Sequence, residues 1–139
     1  MFASHVRLSL LIAAAAGMVA SAGMAVAQPV GNSRGEAKLA KALEGRVAGA
    51  PVECIQLRDI RSSQIIDGTA IIYDTGARLY VNRPSGASSL DDNDILVTNT
   101  HSSQLCNVDI VRLYDNASHI ERGFVGLGKF VPYTKPNRS

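Results

Sequence analysis

Two cysteines, Cys54 and Cys106, and two histidines, His101 and His119, are the residues of this sequence best suited to chemistry. A Cys106 thiolate activated by His101 would be a nucleophile, provided that the thiol is unpaired and a third residue orients the imidazole. The cysteines do not form a C-x-x-C motif, and neither histidine has a second histidine or cysteine at zinc-binding spacing. A disulfide is therefore favoured over a metal or redox site.

A hydrolase built on His101 or His119 is an alternative, because a serine, a histidine and an acid assemble in space and need no fixed spacing. The sequence has no G-x-S-x-G turn of the kind that exposes a nucleophilic serine. The enzyme hypothesis thus stays open, and its discriminating feature is the convergence of a histidine with an acid and a hydroxyl in one pocket.

Two further motifs suggest ligands but fail in detail. Asp91-Asp92-Asn93-Asp94 resembles the start of a calcium loop, yet Leu96 or Ile95 occupies the fifth position. The glycines of 123–128 have no preceding strand–helix pattern that would make them a phosphate-binding loop. We expect no metal and no cofactor.

The first 27 residues predict export. Arg7 is followed by an apolar run and by Ala25-Val26-Ala27, an A-x-A cleavage site before Gln28. An uncleaved membrane anchor is the alternative, but the run contains more Ala and Gly than Leu or Ile. We expect a signal peptide over 1–27, cleavage between Ala27 and Gln28, localisation in the periplasm or outside the cell, and no membrane span after cleavage.

The charge balance argues against a nucleic-acid partner. The chain has 14 Lys and Arg and 12 Asp and Glu, and only Arg7 among them is lost with the signal peptide. The remaining basic residues stand singly between acidic and polar residues, whereas DNA- and RNA-binding domains have clustered Lys and Arg.

Export also bears on the cysteines. An even pair in an oxidising compartment is typical of a disulfide. Closing the loop between Cys54 and Cys106 would stabilise the fold by about 4 kcal/mol in the simple loop model, which matters for a small domain.

Residues 28–51 are predicted to be a polar leader and a short helix. Ser33 and Glu36 have the S-x-x-E spacing of a capping box, and Leu39, Leu43 and Val47 follow at helical spacing. About three turns of helix are too short to persist alone. The helix therefore either docks on the domain or frays.

Residues 52–134 are predicted to form a β domain, with 135–139 as a tail. The runs 61–66, 69–74 and 77–82 are rich in Ile, Val, Tyr and Thr, and Asp67-Gly68 and Thr75-Gly76 separate them. Asp-Gly favours a primed two-residue turn and an antiparallel meander. Alternation in 77–82 predicts one face in the core and the other in solvent.

The rest of the chain completes a mainly β fold. A long polar connection, 83–94, precedes strands over 95–100 and 108–114, then a Gly-rich loop over 115–128 and a last edge strand over 129–133. We expect a small antiparallel sheet or a curled, barrel-like meander with one short N-terminal helix.

Several short motifs follow one another along residues 52–134: Cys54-Ile55-x-Leu57-x-x-Ile60-Arg61-Ser62, Ile66-Asp67-Gly68, Tyr80-x-Asn82, Leu105-Cys106 and Leu127-Gly128-x-Phe130-x-Pro132-Tyr133. In this order they resemble a family of small, uncharacterised exported proteins of Gram-negative bacteria. The resemblance implies export and a coherent fold, but no activity, cofactor or catalytic residue.

Members of that family often have two further cysteines, at positions where this chain has the Ser88–Ser89 region and Val125. If those two cysteines form a second disulfide in the family, the loss of one removes the need for the other, so both are expected to be absent together, as they are here. It leaves Cys54 and Cys106 as natural partners.

The function hypothesis is a non-enzymatic envelope module that binds a protein, a peptide or a cell-wall component. The candidate binding residues, on the solvent face of the meander and at the start of the 83–94 connection, are Arg78, Tyr80, Asn82 and Arg83. A periplasmic enzyme inhibitor is a variant of this hypothesis, by analogy with other small disulfide-bonded β domains. The hydrolase is the alternative from another class.

Overall fold

The computed structural model describes residues 32–137. The signal peptide predicted for 1–27 and its cleavage site lie outside the described residues. The mainly β prediction is confirmed, with one α-helix before the strands. The elements are α1 Ser33–Ala42, β1 Val47–Ala48, β2 Cys54–Gln56, β3 Ser62–Ile66, β4 Ala70–Asp74, β5 Leu79–Asn82, β6 Asp94–Thr98, β7 Gln104–Cys106, β8 Ile110–Asp115, β9 Glu121–Gly126 and β10 Phe130–Thr134.

The strands form three antiparallel sheets that do not close into a barrel. The largest has the order β1-β10-β5-β4-β3, the second pairs β2 with β7, and the third has the order β6-β8-β9. Between residues 32 and 137, no helix is long and apolar enough to cross a bilayer.

The meander β3–β4–β5 is confirmed, but its first turn differs from the prediction. Ile66 pairs with Ala70, so three residues form the loop, and Thr69 N–H donates to the Ile66 carbonyl at 2.9 Å. Gly68 has a φ of 59°, whereas Asp67 is outside the left-handed region. A primed two-residue turn needs positive φ at both central positions. The turn therefore depends on glycine at one position.

The expectation of one core face and one solvent face for 77–82 is wrong, because both faces of the large sheet are covered. Leu39 of α1 packs with Ile72 and Val81 on one face. On the other face Tyr73 and Phe130 pack with buried residues of the two smaller sheets. A period of two shows which residues share a face, but not what covers that face.

Helix α1 docks on the sheet, which is one of the two outcomes predicted for it. Its N-cap is Asn32, whose Oδ1 accepts a hydrogen bond from Gly35 N–H at 3.3 Å, so the Ser33 capping box is wrong. Leu39 is buried, whereas Val47 lies beyond the helix in β1 and is exposed. Burial of one apolar stripe stabilises a helix too short to persist alone.

Two predictions about the C-terminal third are wrong. The predicted Gly-rich loop contains β9, which pairs with β8 through Val125 and Val111 despite two glycines in the strand. β10 is an interior strand, because β1 pairs along its outer side. Pro132 fits there because β1 is only two residues long and pairs with Tyr133 and Thr134.

The 83–94 connection is folded onto the domain. Leu90 and Pro84 are buried. Ser85 N–H donates to the Gly126 carbonyl at 2.9 Å, and a short 3-10 turn over Ala87–Ser89 lies against β9. Leu90 belongs to the hydrophobic core and Ala87 packs against it, although most residues of this segment are polar.

Candidate functional site

The two cysteines form a disulfide, as predicted. Cys54 and Cys106 lie directly opposite each other in the β2–β7 pair, with an S–S distance of 2.06 Å. Bonded sulfur is not a nucleophile. The interpretation of Cys106 as a catalytic thiol beside His101 is therefore wrong.

A groove opens beside this disulfide-linked pair of strands. After β2 the chain makes a short 3-10 turn, Leu57–Asp59, and enters β3, whose start lies beside the β4–β5 turn. The groove has a volume of about 410 Å³. It is lined by Ile55, Gln56, Arg58, Asp59, Arg61, Thr75, Ala77, Arg78 and Tyr80.

Three arginines belong to this groove, which we call the arginine groove. The Arg61 guanidinium lies so close to Gly76 that a Cβ there would be 2.6 Å from Cζ. Arg78 Nη1 donates to the Tyr80 hydroxyl at 3.4 Å, and this bond raises the pKa of Arg78. Glycine at 76 is thus favoured by the turn, since its φ is 86°, and the Arg61 guanidinium lies against its backbone.

The charges of the arginine groove are not balanced. Asp59 is its one acidic residue, and its carboxylate lies 3.7 Å from Arg58 Nε in a highly exposed pair. Among residues 32–137, no carboxylate lies within 4.0 Å of the nitrogens of Arg61 or Arg78. Guanidinium groups offer forked donors that match carboxylate and phosphate oxygens. The groove is suited to binding an anion.

Only two of the four sequence-predicted binding residues reach this groove. Arg78 and Tyr80 line it, whereas Asn82 is fully buried and hydrogen-bonds Gly128. Arg83 donates from both Nη atoms to Glu36, at 2.6 and 3.0 Å. The hydrogen bonds from Arg83 lower the pKa of Glu36, because they stabilise the carboxylate, and the positive charge of the guanidinium adds to this effect.

Arg58 and Arg61 also line the groove but were not among the binding residues predicted from the sequence. Arg61 immediately precedes β3, and the register of the hairpin brings it beside the end of β4, where its N–H donates to the Asp74 carbonyl at 2.8 Å. Counting outwards from the turn at Gly68 predicts that juxtaposition. Nothing local in the sequence shows that Arg58 joins it, because that depends on the 3-10 turn.

The two histidines lie apart from the groove lining. His101 and His119 are both exposed, and His119 has a φ of 56° in the turn between β8 and β9. In the part of the chain that the structure describes, neither imidazole makes a side-chain hydrogen bond to an acid or a hydroxyl. Within residues 32–137, neither histidine is therefore hydrogen-bonded to the acid and the hydroxyl that the hydrolase hypothesis requires.

The acidic run after residue 90 is held by internal contacts. Arg122 Nη1 lies 2.7 Å from Asp94 and 3.5 Å from Asp91, which raises the pKa of Arg122 mainly through its bond to Asp94. Lys38 pairs with Asp92 at 3.4 Å. No group of three potential metal ligands occurs within residues 32–137.

Comparison with known proteins adds no relative. No protein-family model, no curated protein and no solved structure matches this chain.

Proposed function

We propose that this protein is an exported, non-enzymatic envelope module that binds a carboxylate-bearing cell-wall component in the arginine groove. The observation behind this proposal is the set of three guanidiniums, of Arg58, Arg61 and Arg78, around one groove that contains a single acid. Two of them have no carboxylate partner among the described residues. Charge-assisted bonds from arginine to an oxyanion are among the stronger hydrogen bonds that proteins make.

The surroundings of the guanidiniums favour a specific ligand over a loose ion cloud. The Arg61 guanidinium lies against Gly76, and Arg78 donates a hydrogen bond to the Tyr80 hydroxyl. That hydroxyl accepts from Arg78 and keeps its own proton for a ligand oxygen. Ile55 and Ala77 add apolar surface, and the Cys54–Cys106 bond fixes β2 next to the groove. Preorganised donors lower the entropic cost of binding.

The binding test uses a peptidoglycan fragment with free stem-peptide carboxylates, the same fragment with those carboxylates amidated, and inorganic phosphate as a competitor. Calorimetry should detect binding of the free acid but not of the amide. Replacing both Arg61→Gln and Arg78→Gln should weaken binding by about tenfold or more, because charged hydrogen bonds are lost.

The matched control is Arg34→Gln, since Arg34 is exposed on α1 and outside the groove. It should bind like the wild type. Equal binding of the acid and the amide, or an unchanged affinity in the double variant that still melts like the wild type, would contradict the proposal. Competition by phosphate would identify the site as one for oxyanions in general, with the carboxylate as one member of that class.

Export is the second part of the proposal and rests on Ala25-Val26-Ala27 before Gln28. Intact-mass spectrometry of the exported protein should find a chain that starts at Gln28 or at its cyclised form. A full-length species retained in the membrane would contradict export.

A further inference from the structure

A second groove lies along the free edge of the large sheet. It has a volume of about 810 Å³ and is lined by the consecutive β3 residues 63–66, by Lys38 and Lys41 of α1, and by residues at the start of β6. Because successive side chains of a strand point to opposite faces, four consecutive residues lining one groove mean that the strand presents its edge there. We call this feature the edge groove.

Both strands that border the edge groove have one free side. β3 pairs only with β4, and β6 pairs only with β8. Ser62, Ser63 and Gln64 are exposed. Proteins usually protect such edges with Lys, Pro or a bulge, whereas the β3 sequence SSQII has no charge and no proline. The edge of β3 is therefore open to hydrogen bonding by another strand.

We propose that the edge groove binds an extended peptide of a partner protein, which adds as a strand to β3 and places an acidic side chain near Lys41. Strand addition uses main-chain hydrogen bonds for affinity and flanking side-chain contacts for specificity. Helix α1 supplies such a flank on one side and β6 supplies it on the other. This inference concerns a different surface from the arginine groove and does not depend on it.

The acidic preference follows from the charges around the edge groove. Asp92 is paired with Lys38, and Asp94 is paired with Arg122. Lys41 lines the groove and has no carboxylate within 4.0 Å among the described residues. Lys41 is thus the one charged residue of the groove lining outside the ion pairs of the described residues, so it can pair with a carboxylate on the peptide.

The test begins with a phage-displayed library of random nine-residue peptides, selected on the purified protein. We expect enrichment of β-forming sequences with one acidic residue. A synthetic copy of an enriched peptide should slow amide hydrogen exchange at 62–64. The same peptide N-methylated at the alternate residues whose N–H groups face β3 should bind about tenfold more weakly, because several net-favourable hydrogen bonds are lost, whereas methylation of the other alternate set should have little effect. Lack of enrichment, unchanged exchange at β3, or unchanged affinity of both methylated peptides would overturn the proposal.

Charge reversal tests the position of the acidic side chain. Lys41→Glu should weaken binding of the acidic peptide by about threefold, as expected for an exposed ion pair, and should favour a lysine-substituted copy of it. Lys129→Glu is the matched control, since Lys129 is exposed and outside the edge groove. The double variant Arg61→Gln, Arg78→Gln should also leave peptide binding unchanged. Equal effects of Lys41→Glu and Lys129→Glu would overturn the assignment of Lys41.

Discussion

The side-chain amide of Asn82 forms two hydrogen bonds with the backbone of Gly128. Its Nδ2 donates to the Gly128 carbonyl at 2.6 Å, and its Oδ1 accepts from the Gly128 N–H at 2.9 Å. Asn82 is fully buried at the end of β5. The Asn82 side chain thus satisfies both the N–H and the carbonyl of Gly128, which lies just before β10. These two bonds connect the end of β5 to the segment that leads into β10.

Loss of this amide should be costly. Asn82→Ala would leave the N–H and the carbonyl of the half-buried Gly128 without their side-chain partner, and we expect the free energy of unfolding to fall by about 2 kcal/mol. Urea denaturation measures the change. Asn93→Ala is the control, because Asn93 is exposed in a turn, and it should be within about 0.5 kcal/mol of the wild type. Equal stability of the two variants would contradict the structural role of Asn82.

The ion pair between Glu36 and Arg83 predicts a pH dependence. Because Arg83 lowers the pKa of Glu36 from its ordinary value of 4.5, the pair stabilises the fold above that value. The contribution disappears as the pH falls through the lowered pKa. Glu36→Gln should cost about 0.5 kcal/mol at neutral pH, since solvent screens this exposed pair, and nothing in strongly acidic buffer. Glu44→Gln, at an exposed position outside the ion pairs, should show no such pH-dependent difference.

The disulfide predicts the behaviour of the thiols. Protein from an oxidising compartment should show no reactive thiol until it is denatured and reduced, and reduction should lower stability by about 2–5 kcal/mol. Replacing both Cys54 and Cys106 with Ser should resemble reduction. Thiol labelling followed by mass spectrometry measures the first result and thermal melting measures the second. Stoichiometric labelling of native Cys106 would contradict the bond.

The first turn of the meander predicts sensitivity at Gly68. Its φ of 59° is unfavourable for a β-branched residue, and a Cβ would lie 3.1 Å from Asn32 Nδ2. Gly68→Val should therefore destabilise the fold by about 1–3 kcal/mol. Gly68→Asn should cost less, because asparagine adopts left-handed backbone more readily. An unchanged melting temperature for Gly68→Val would remove the requirement for glycine.

Replacing Tyr73 with phenylalanine should stabilise the fold, because the tyrosine hydroxyl is buried without a hydrogen-bond partner among the described residues. Its ring packs edge to face with Phe130, with centroids 5.8 Å apart, and its hydroxyl is buried without a protein hydrogen-bond partner. Burial also raises the pKa of Tyr73, since the charged form is disfavoured there. Tyr73→Phe keeps the packing and removes the unsatisfied group, so stability should rise by about 1 kcal/mol. A loss of stability in denaturant titration would show that the hydroxyl has a partner.

Local patterns in the sequence were sufficient for much of the fold. Three runs rich in β-forming residues and the glycines between them predicted the meander, and two cysteines in a chain that is predicted to be exported predicted their bond. These features depend on neighbours in the chain or on a single possible pairing. β9 was missed because pairing with β8 stabilises a strand whose glycines weaken it locally.

The composition of the arginine groove and the residues that cover each face of the large sheet were determined by tertiary structure alone. The placement of β10 beside β5, and of the two smaller sheets over the face that carries Tyr73 and Tyr80, buried Asn82 on a face that alternation assigned to solvent. Arg58, Arg61 and Arg78 line one groove because a 3-10 turn and a hairpin bring their segments together. The sequence period specifies which way a side chain points relative to its strand neighbours, whereas long-range packing determines what that side chain contacts.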